Sequence, residues 1–369
     1  MDQTTLFDRL AGQLHRLSIL TRTDPTVAGR LLADLLGPAG ARPLDRAPAW
    51  PSGIADDHTP VEFSLAFHAG TPPTLRILAE APADVLTPAA HLAAGHAFVR
   101  AQADRLTLSL AAFDRVRHLF MPNDPRAAFT LWHSLVFARR PELKVYFNPE
   151  IRGTDRATEL VQEGLGLLGL AASYPALVDR MRDRALAGVD RLAFFALDLH
   201  DGPHARVKLY LAHHDATADD MVHAAAAVKD VDPGELREFC RIAGDGVDVF
   251  AGLPLIGSYT FTAGATYPVG YSLYVPIRGY VTDDGEAYER VAAVLRRYRF
   301  DISYLDQALA AVTSRRLRDG VGLLAHVSLR LGPPRPGVTV YLSAEAYRVQ
   351  PPGAAAMPTR IVEPSRSES

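Results

Sequence analysis

Five times along the chain, two short runs of alternating apolar and polar residues are separated by a stretch of turn-forming residues. The pairs are Pro60–Phe67 with Thr74–Ala81, Leu131–Arg139 with Leu143–Pro149, and Arg191–His200 with Arg206–His213. Gly257–Thr262 with Tyr271–Arg278 and Gly320–Leu331 with Val338–Tyr347 complete the series. Their connectors, HAGTPP, ARRPE, DGPHA, AGATYPVG and GPPRPG, are rich in the residues that reverse a chain. The pattern predicts five hairpins and about ten strands. Between hairpins the apolar spacing lengthens to three and four, which predicts helices over Ala89–His118, Asp155–Leu170 and Pro175–Leu186. Thr217-x-x-Asp220 reads as a capping box for a helix to Val231. Asp232-Pro233 opens another helix that Gly244 closes, and Ser303-x-x-Asp306 opens a further one. The N-terminal stretch MDQTTLFDRLAGQLHRL is amphipathic and carries early acidic residues, so it reads as a helix and not a signal peptide.

The repeating unit is therefore helix–strand–strand–helix. Hairpins joined through helices give antiparallel strands, and closing ten of them into a barrel removes the exposed edges and leaves the helices outside. The expectation is an α+β chain with one such barrel over residues 1–350 and a disordered tail over 351–369.

Alternation then sorts the strand residues between the two faces of the sheet. In RVKLYLAH one face carries Val207, Leu209 and Leu211, and the other Arg206, Lys208 and Tyr210. If the apolar face meets the helices, the cationic and phenolic face lines the lumen. The same reasoning sends Lys144 and Tyr146 inward from LKVYF, Arg76 from TLRILAE and Glu62 from PVEFSLAF, with Tyr274 and Tyr341 as further candidates. A polar strand face is also what a solvated sheet shows, so one strand alone decides little. The pattern gains weight by recurring on several hairpins in a chain whose lysines are only Lys144, Lys208 and Lys229. Several enclosed cations with few carboxylates are costly unless a polyanion balances them, and a diphosphate meets that demand. Tyrosine faces beside it can shelter a carbocation. Together these are the requirements for ionising an allylic diphosphate.

Composition removes other classes. A chain of 369 residues, 48% hydrophobic and 22% charged, is globular, and no apolar run reaches the length of a membrane helix. A formal net charge of −3 gives no field suited to nucleic acid. The single cysteine, Cys240, excludes a disulfide framework, and the chain reads as cytoplasmic. Asp56-Asp57, Asp219-Asp220 and Asp283-Asp284 lack the DDxxD spacing of a magnesium site and read as turn or helix-cap residues, so no metal is expected. HExxH, GxxxxGK[ST] and GxSxG are absent, and the glycine runs lack GxGxxG spacing.

The segments DDHTPVEFSLAF, LKVYFNP, RVKLYL, GYSLYVPIRGY and VTVYLSAEAYRV, spread from residue 56 to about 349, resemble the dimethylallyltryptophan synthase family of indole prenyltransferases, most of all its bacterial members. The resemblance implies the prenyltransferase (ABBA-type) barrel and transfer of a dimethylallyl group from dimethylallyl diphosphate to the indole of L-tryptophan, with no cofactor. It implies that Glu62 accepts the indole N–H, that Arg76, Lys144, Arg206 and Lys208 hold the diphosphate, and that Tyr146, Tyr210, Tyr274 and Tyr341 shield the cation. The chain departs from fungal members, which carry a lysine base on the strand before LKVYF. Here that strand reads LWHSLVFAR and turns Trp132 and Ser134 inward, Trp132 toward the acceptor. His213 and His214 are the substitute bases weighed, and Glu62 itself suffices if N1 is the site of attachment. Ser272 replaces a glutamine of the acceptor pocket. The ring position prenylated stays open. So do a phenolic acceptor such as tyrosine, a non-catalytic barrel carrying a small ligand, and the choice between monomer and homodimer.

Overall fold

The computed structural model describes residues 4–123, 127–331 and 336–354. The expected tail beyond Ala354 and most of the GPPRPG connector lie outside them. Ten strands form a closed barrel: β1 (Val61–His68), β2 (Thr71–Glu80), β3 (Leu131–Phe137), β4 (Pro141–Phe147) and β5 (Asp190–Asp198), then β6 (Arg206–His213), β7 (Leu255–Thr262), β8 (Gly270–Val275), β9 (Leu324–Leu331) and β10 (Gly337–Ser343). Every strand pairs antiparallel with its neighbours in sequence, and β10 closes on β1. The hairpin turns therefore share one end of the barrel, and the helical connections share the other.

Ten α-helices surround the strands among the described residues: α1 (Leu6–Leu20), α2 (Pro25–Leu36), α3 (Pro88–Gln102), α4 (Ala111–Val116) and α5 (Ala157–Leu167), then α6 (Pro175–Leu186), α7 (Ala218–Ala225), α8 (Pro233–Gly244), α9 (Asp284–Arg297) and α10 (Ser303–Val312). In α1 the buried residues Leu6, Leu10, Leu14 and Leu17 repeat every three or four positions, and the Thr5/Asp8 capping box satisfies its first N–H groups. Its buried Gln13 donates to Val312 O (2.9 Å) and Ala344 O (2.8 Å), which ties α1 to the ends of α10 and β10. Outward strand residues such as Phe63, Leu65, Val145, Leu209 and Val340 join the helices in one continuous core.

Several boundaries differ from expectation. The stretch 89–118 divides into α3 and α4. The Thr217 capping box is present, yet α7 ends at Ala225, well before Val231. α8 has the expected bounds, closed by Asp245 in the left-handed region at φ 54°. α10 begins at Ser303 without a side-chain cap, because Asp306 instead accepts from the Tyr288 hydroxyl (2.7 Å). The strand expected to run to Arg278 ends at Val275 in a 3₁₀ turn over Ile277–Gly279, which will matter for the site.

Close approach of two buried side chains requires glycine at position 257. A Cβ there would stand 2.8 Å from both His213 Nε2 and the Tyr271 hydroxyl. Gly257→Ala should lower unfolding stability by about 1–3 kcal/mol, measured by chemical denaturation; an unchanged midpoint would contradict the packing described.

Candidate active site

The lumen is a cavity of about 340 Å³ lined by inward-facing residues of all ten strands and by Gly53 and Ile54 of the segment before β1. Its chemistry changes from end to end. Toward the hairpin turns stand Arg76, Lys144, Arg206, Lys208 and Arg330, with Asp198 as the one lining carboxylate at that end among the described residues. Asp198 binds Lys144 Nζ (3.1 Å) and Arg206 Nε (2.7 Å). Burial alone would raise its carboxyl, but Lys144 and Arg206 outweigh burial and hold it down to about 2. Arg76 Nε is buried with no hydrogen-bond partner among the described residues. Lys208 has no ion-pair partner among the described residues, and its Nζ lies 5.7 Å from the Tyr210 ring centroid.

Burial, reinforced by Arg206 and Arg76, pushes Lys144 down to about 8 even with Asp198 beside it. Burial followed by Arg206 and Lys144 pushes Lys208 well below its ordinary value. One carboxylate, Asp198, serves this whole cluster, so both lysines hold their protons less firmly than a free lysine does.

A belt of aromatic rings crosses the middle of the cavity. Tyr146 to Tyr210 is 5.7 Å between centroids, Tyr210 to Tyr274 5.9 Å, and Tyr274 to Tyr341 5.9 Å. Phe194 meets Tyr146 and Tyr210 edge-on, and Trp132 packs 5.3 Å from Phe194 and 4.5 Å from Phe129. Burial drives Tyr146 up to about 12 and also raises Tyr210 and Tyr341 well above the ordinary phenol value. Their hydroxyls stay protonated at any working pH. A neutral phenol offers its π face to a carbocation, whereas a phenolate would capture it.

Beyond the belt lies Glu62, only 4% exposed, with Trp132, Ile54 and His326 on the cavity wall. Glu80 closes this end beside Trp132, its β3 register partner, and accepts from Ser52 Oγ (2.7 Å); burial lifts its carboxyl to about 7.

All four expected cations, all four tyrosines, Glu62 and Trp132 line this one cavity. Three expectations fail. His213 is fully buried on the outer face of β6, its Nδ1 2.9 Å from Asp190, because it continues the outward series Val207, Leu209, Leu211. His214 lies past the end of β6, its N–H donating to Val189 O, and does not reach the lumen. Ser272 lines the cavity but pairs in register with Ser258 and Arg330, which puts it at the cationic end, away from Trp132 and Glu62. Arg330, His326, His68, Asp198 and Phe194 are lining residues that sequence reasoning missed. Arg330 and His326 follow from alternation on β9. Phe194 and Asp198 lie beyond a bulge between Leu192 and Phe194 that changes the phase of β5.

A cluster of cations at one end, an aromatic wall in the middle and a carboxylate at the other suit one pair of reactants: an allylic diphosphate and an aromatic nucleophile. Such a barrel is an aromatic prenyltransferase. The family model for tryptophan dimethylallyltransferase matches residues 27–307, and the chain belongs to that family. It is an enzyme that transfers a dimethylallyl group to tryptophan, so the carrier-barrel reading falls. The chain is 60% identical to the crystal structure of 6-dimethylallyltryptophan synthase from Micromonospora olivasterospora in complex with DMASPP and Trp, covering 95% of this chain and 100% of that one at a TM-score of 0.91. It is 36% identical to 5-dimethylallyltryptophan synthase from Streptomyces coelicolor in complex with DMASPP and Trp, covering 95% and 98% at a TM-score of 0.87. AnaPT from Neosartorya fischeri, 16% identical over 95% and 96% of the two chains, shares the fold at a TM-score of 0.74.

Anion binding should draw protons into the site, because a bound diphosphate restores the charge that burial removes from Lys144 and Lys208. Affinity for inorganic pyrophosphate should therefore fall as pH rises through and beyond 8, by up to roughly tenfold per pH unit for each proton taken up. Calorimetry in buffers of different ionisation enthalpy should show net proton uptake; binding without uptake would contradict the assignment.

Proposed function

We propose that this enzyme attaches the dimethylallyl group to C6 of the indole of L-tryptophan, without a metal ion, in the cytoplasm. The observation that carries the residue roles is the order of the three zones along the cavity. Arg76, Lys144, Arg206, Lys208 and Arg330 grip the diphosphate. The tyrosine belt stands where the C1–O bond breaks, and Glu62 accepts the indole N–H on the far side. Support for position 6 comes from relatives: two solved 6-dimethylallyltryptophan synthases are 58% and 60% identical to this chain, against 36% for the 5-specific enzyme.

Catalysis then follows from electrostatics. Ionisation places two new charges in the cavity, a diphosphate leaving group and an allylic cation. The five cations face the first and the π faces of Tyr146, Tyr210, Tyr274 and Tyr341 the second. Both sets are fixed before the reaction and act in a medium of low dielectric. A neutral wall of tyrosines and Trp132 keeps water from the cation until the ring attacks. Magnesium, which in other enzymes neutralises the leaving diphosphate, has its task performed here by side chains. Asp198, which lines that end, is already engaged by Lys144 and Arg206. No group of His, Cys, Asp and Glu suited to a metal occurs among the described residues.

Incubation with dimethylallyl diphosphate and L-tryptophan in EDTA should give 6-dimethylallyltryptophan, identified by mass spectrometry and NMR. Attachment at another carbon would overturn the regiochemistry, and a requirement for magnesium would overturn metal independence. Glu62→Gln should lower kcat/KM for tryptophan roughly 10- to 100-fold, the worth of one charge-assisted hydrogen bond, with pyrophosphate affinity unchanged; wild-type kinetics would remove Glu62 from the acceptor site.

A further inference from the structure

Attack by the indole leaves one ring carbon bearing both the new prenyl group and its original hydrogen. Aromaticity returns only when that C–H bond gives its electron pair to the ring, so a base must stand on the acceptor side of the tyrosine belt. The strand where a lysine base is expected offers Trp132 and Ser134, and His213 and His214 lie outside the cavity. Among the described histidines two line it, His68 and His326. His68, on β1 near the hairpin turns, stands with Arg76 and Arg330, whose charges lower its affinity for a proton after burial has done so.

His326 occupies the acceptor side. It is the β9 register partner of Tyr341, and the two rings meet edge-on at 5.9 Å between centroids. Its Nδ1 is 3.8 Å from Glu62 Oε1. We propose that His326 is the base that removes the ring-carbon proton, with Glu62 holding the indole N–H and then balancing the imidazolium.

The surroundings of His326 prepare it for that step. Arg278, on the 3₁₀ turn after β8, places Nη1 3.2 Å from His326 Nε2 and 3.4 Å from Nδ1. Asp56 (2.9 Å) and Ala325 O (3.2 Å) anchor the guanidinium. Burial first, then Arg278, lowers the imidazole from its ordinary value, while Glu62 and Asp56 act in the opposite sense. The balance favours the neutral ring, whose nitrogens face Arg278 and Glu62. A prenylated indole cation is a strong acid, so a weak base close by is sufficient, and Glu62 makes the product imidazolium tolerable. The donor C1–O bond breaks with its electron pair leaving on the diphosphate. A ring π pair forms the new C–C bond, the C–H pair restores the π system, and the proton resides on His326 until solvent takes it as product leaves.

This inference rests on the reading that the enzyme prenylates a tryptophan ring carbon, and the test separates the two. Full-length wild type and His326→Gln are compared with dimethylallyl diphosphate and with either L-tryptophan or its indole-ring-deuterated form. Glutamine keeps much of the volume and hydrogen bonding but accepts no proton; should it fail to fold, His326→Asn serves the same purpose. The variant should lose roughly 10²–10⁴-fold in kcat and acquire a primary deuterium isotope effect that wild type lacks. It should also release diphosphate faster than it forms prenyltryptophan, the excess appearing as dimethylallyl alcohol, while binding pyrophosphate as wild type does. A variant within twofold of wild type, or slowed with no isotope effect, overturns the proposal. Wild type that forms no ring-prenylated tryptophan overturns the underlying reading, and the proposal with it.

Discussion

Mutual repulsion among Arg76, Lys144, Arg206, Lys208 and Arg330 is the constraint on which the rest of this structure depends. Enclosed in a barrel with Asp198 as their sole lining counter-ion at that end among the described residues, these groups cannot all stay charged cheaply. Burial first, and then the neighbouring cations, lowers the affinity of Lys144 and Lys208 for their protons. A diphosphate reverses the balance, because it carries the negative charge that the protein withholds. The site is thus unstable when empty in the same sense that it is catalytic when full: what lacks a partner in the resting enzyme is what the leaving group acquires.

Such a cluster is tolerable only in a scaffold that does not need the lumen for its own stability. The outer core, between strands and helices, supplies that stability through residues such as Phe63, Leu209, Val340 and the leucines of α1. Closure of the barrel satisfies every strand edge, so the inward face is free to be cationic at one end, aromatic in the middle and acidic at the other. The division of labour is set residue by residue. On β6, Val207, Leu209 and Leu211 stabilise the fold while Arg206, Lys208 and Tyr210 face the reaction. The segment before β1 joins the two functions, since Gly53 and Ile54 line the cavity while Asp56 holds Arg278 against His326.

Much of this was legible in the sequence because a strand's period of two is rigid. Once RVKLYLAH is a barrel strand, Lys208 and Tyr210 must share a face, and Lys144, Tyr146, Arg76 and Glu62 follow by the same rule. That rule also opposed His213, whose odd-numbered position places it with Leu211 outside. Alternation fails where the backbone departs from it. The bulge on β5 hid Phe194 and Asp198, and Asp198 is the very carboxylate that sets the electrostatics of two cations. Arg330 and His326 share the inward phase of β9 with Ser328, so alternation alone places them in the lumen. Ser272 shows the remaining gap: its face was right, while its height along the barrel depends on register with β9, which no single strand encodes.

The central claim is that uncompensated positive charge, and not packing, dominates the cationic end. Its most direct test is the unfolding stability of Lys208→Met, measured with and without inorganic pyrophosphate. If the account is correct, the variant is at least as stable as wild type when empty, because a repelling group is gone, and pyrophosphate stabilises it far less than it stabilises wild type. A variant that is less stable when empty, yet gains as much from pyrophosphate as wild type does, would contradict it.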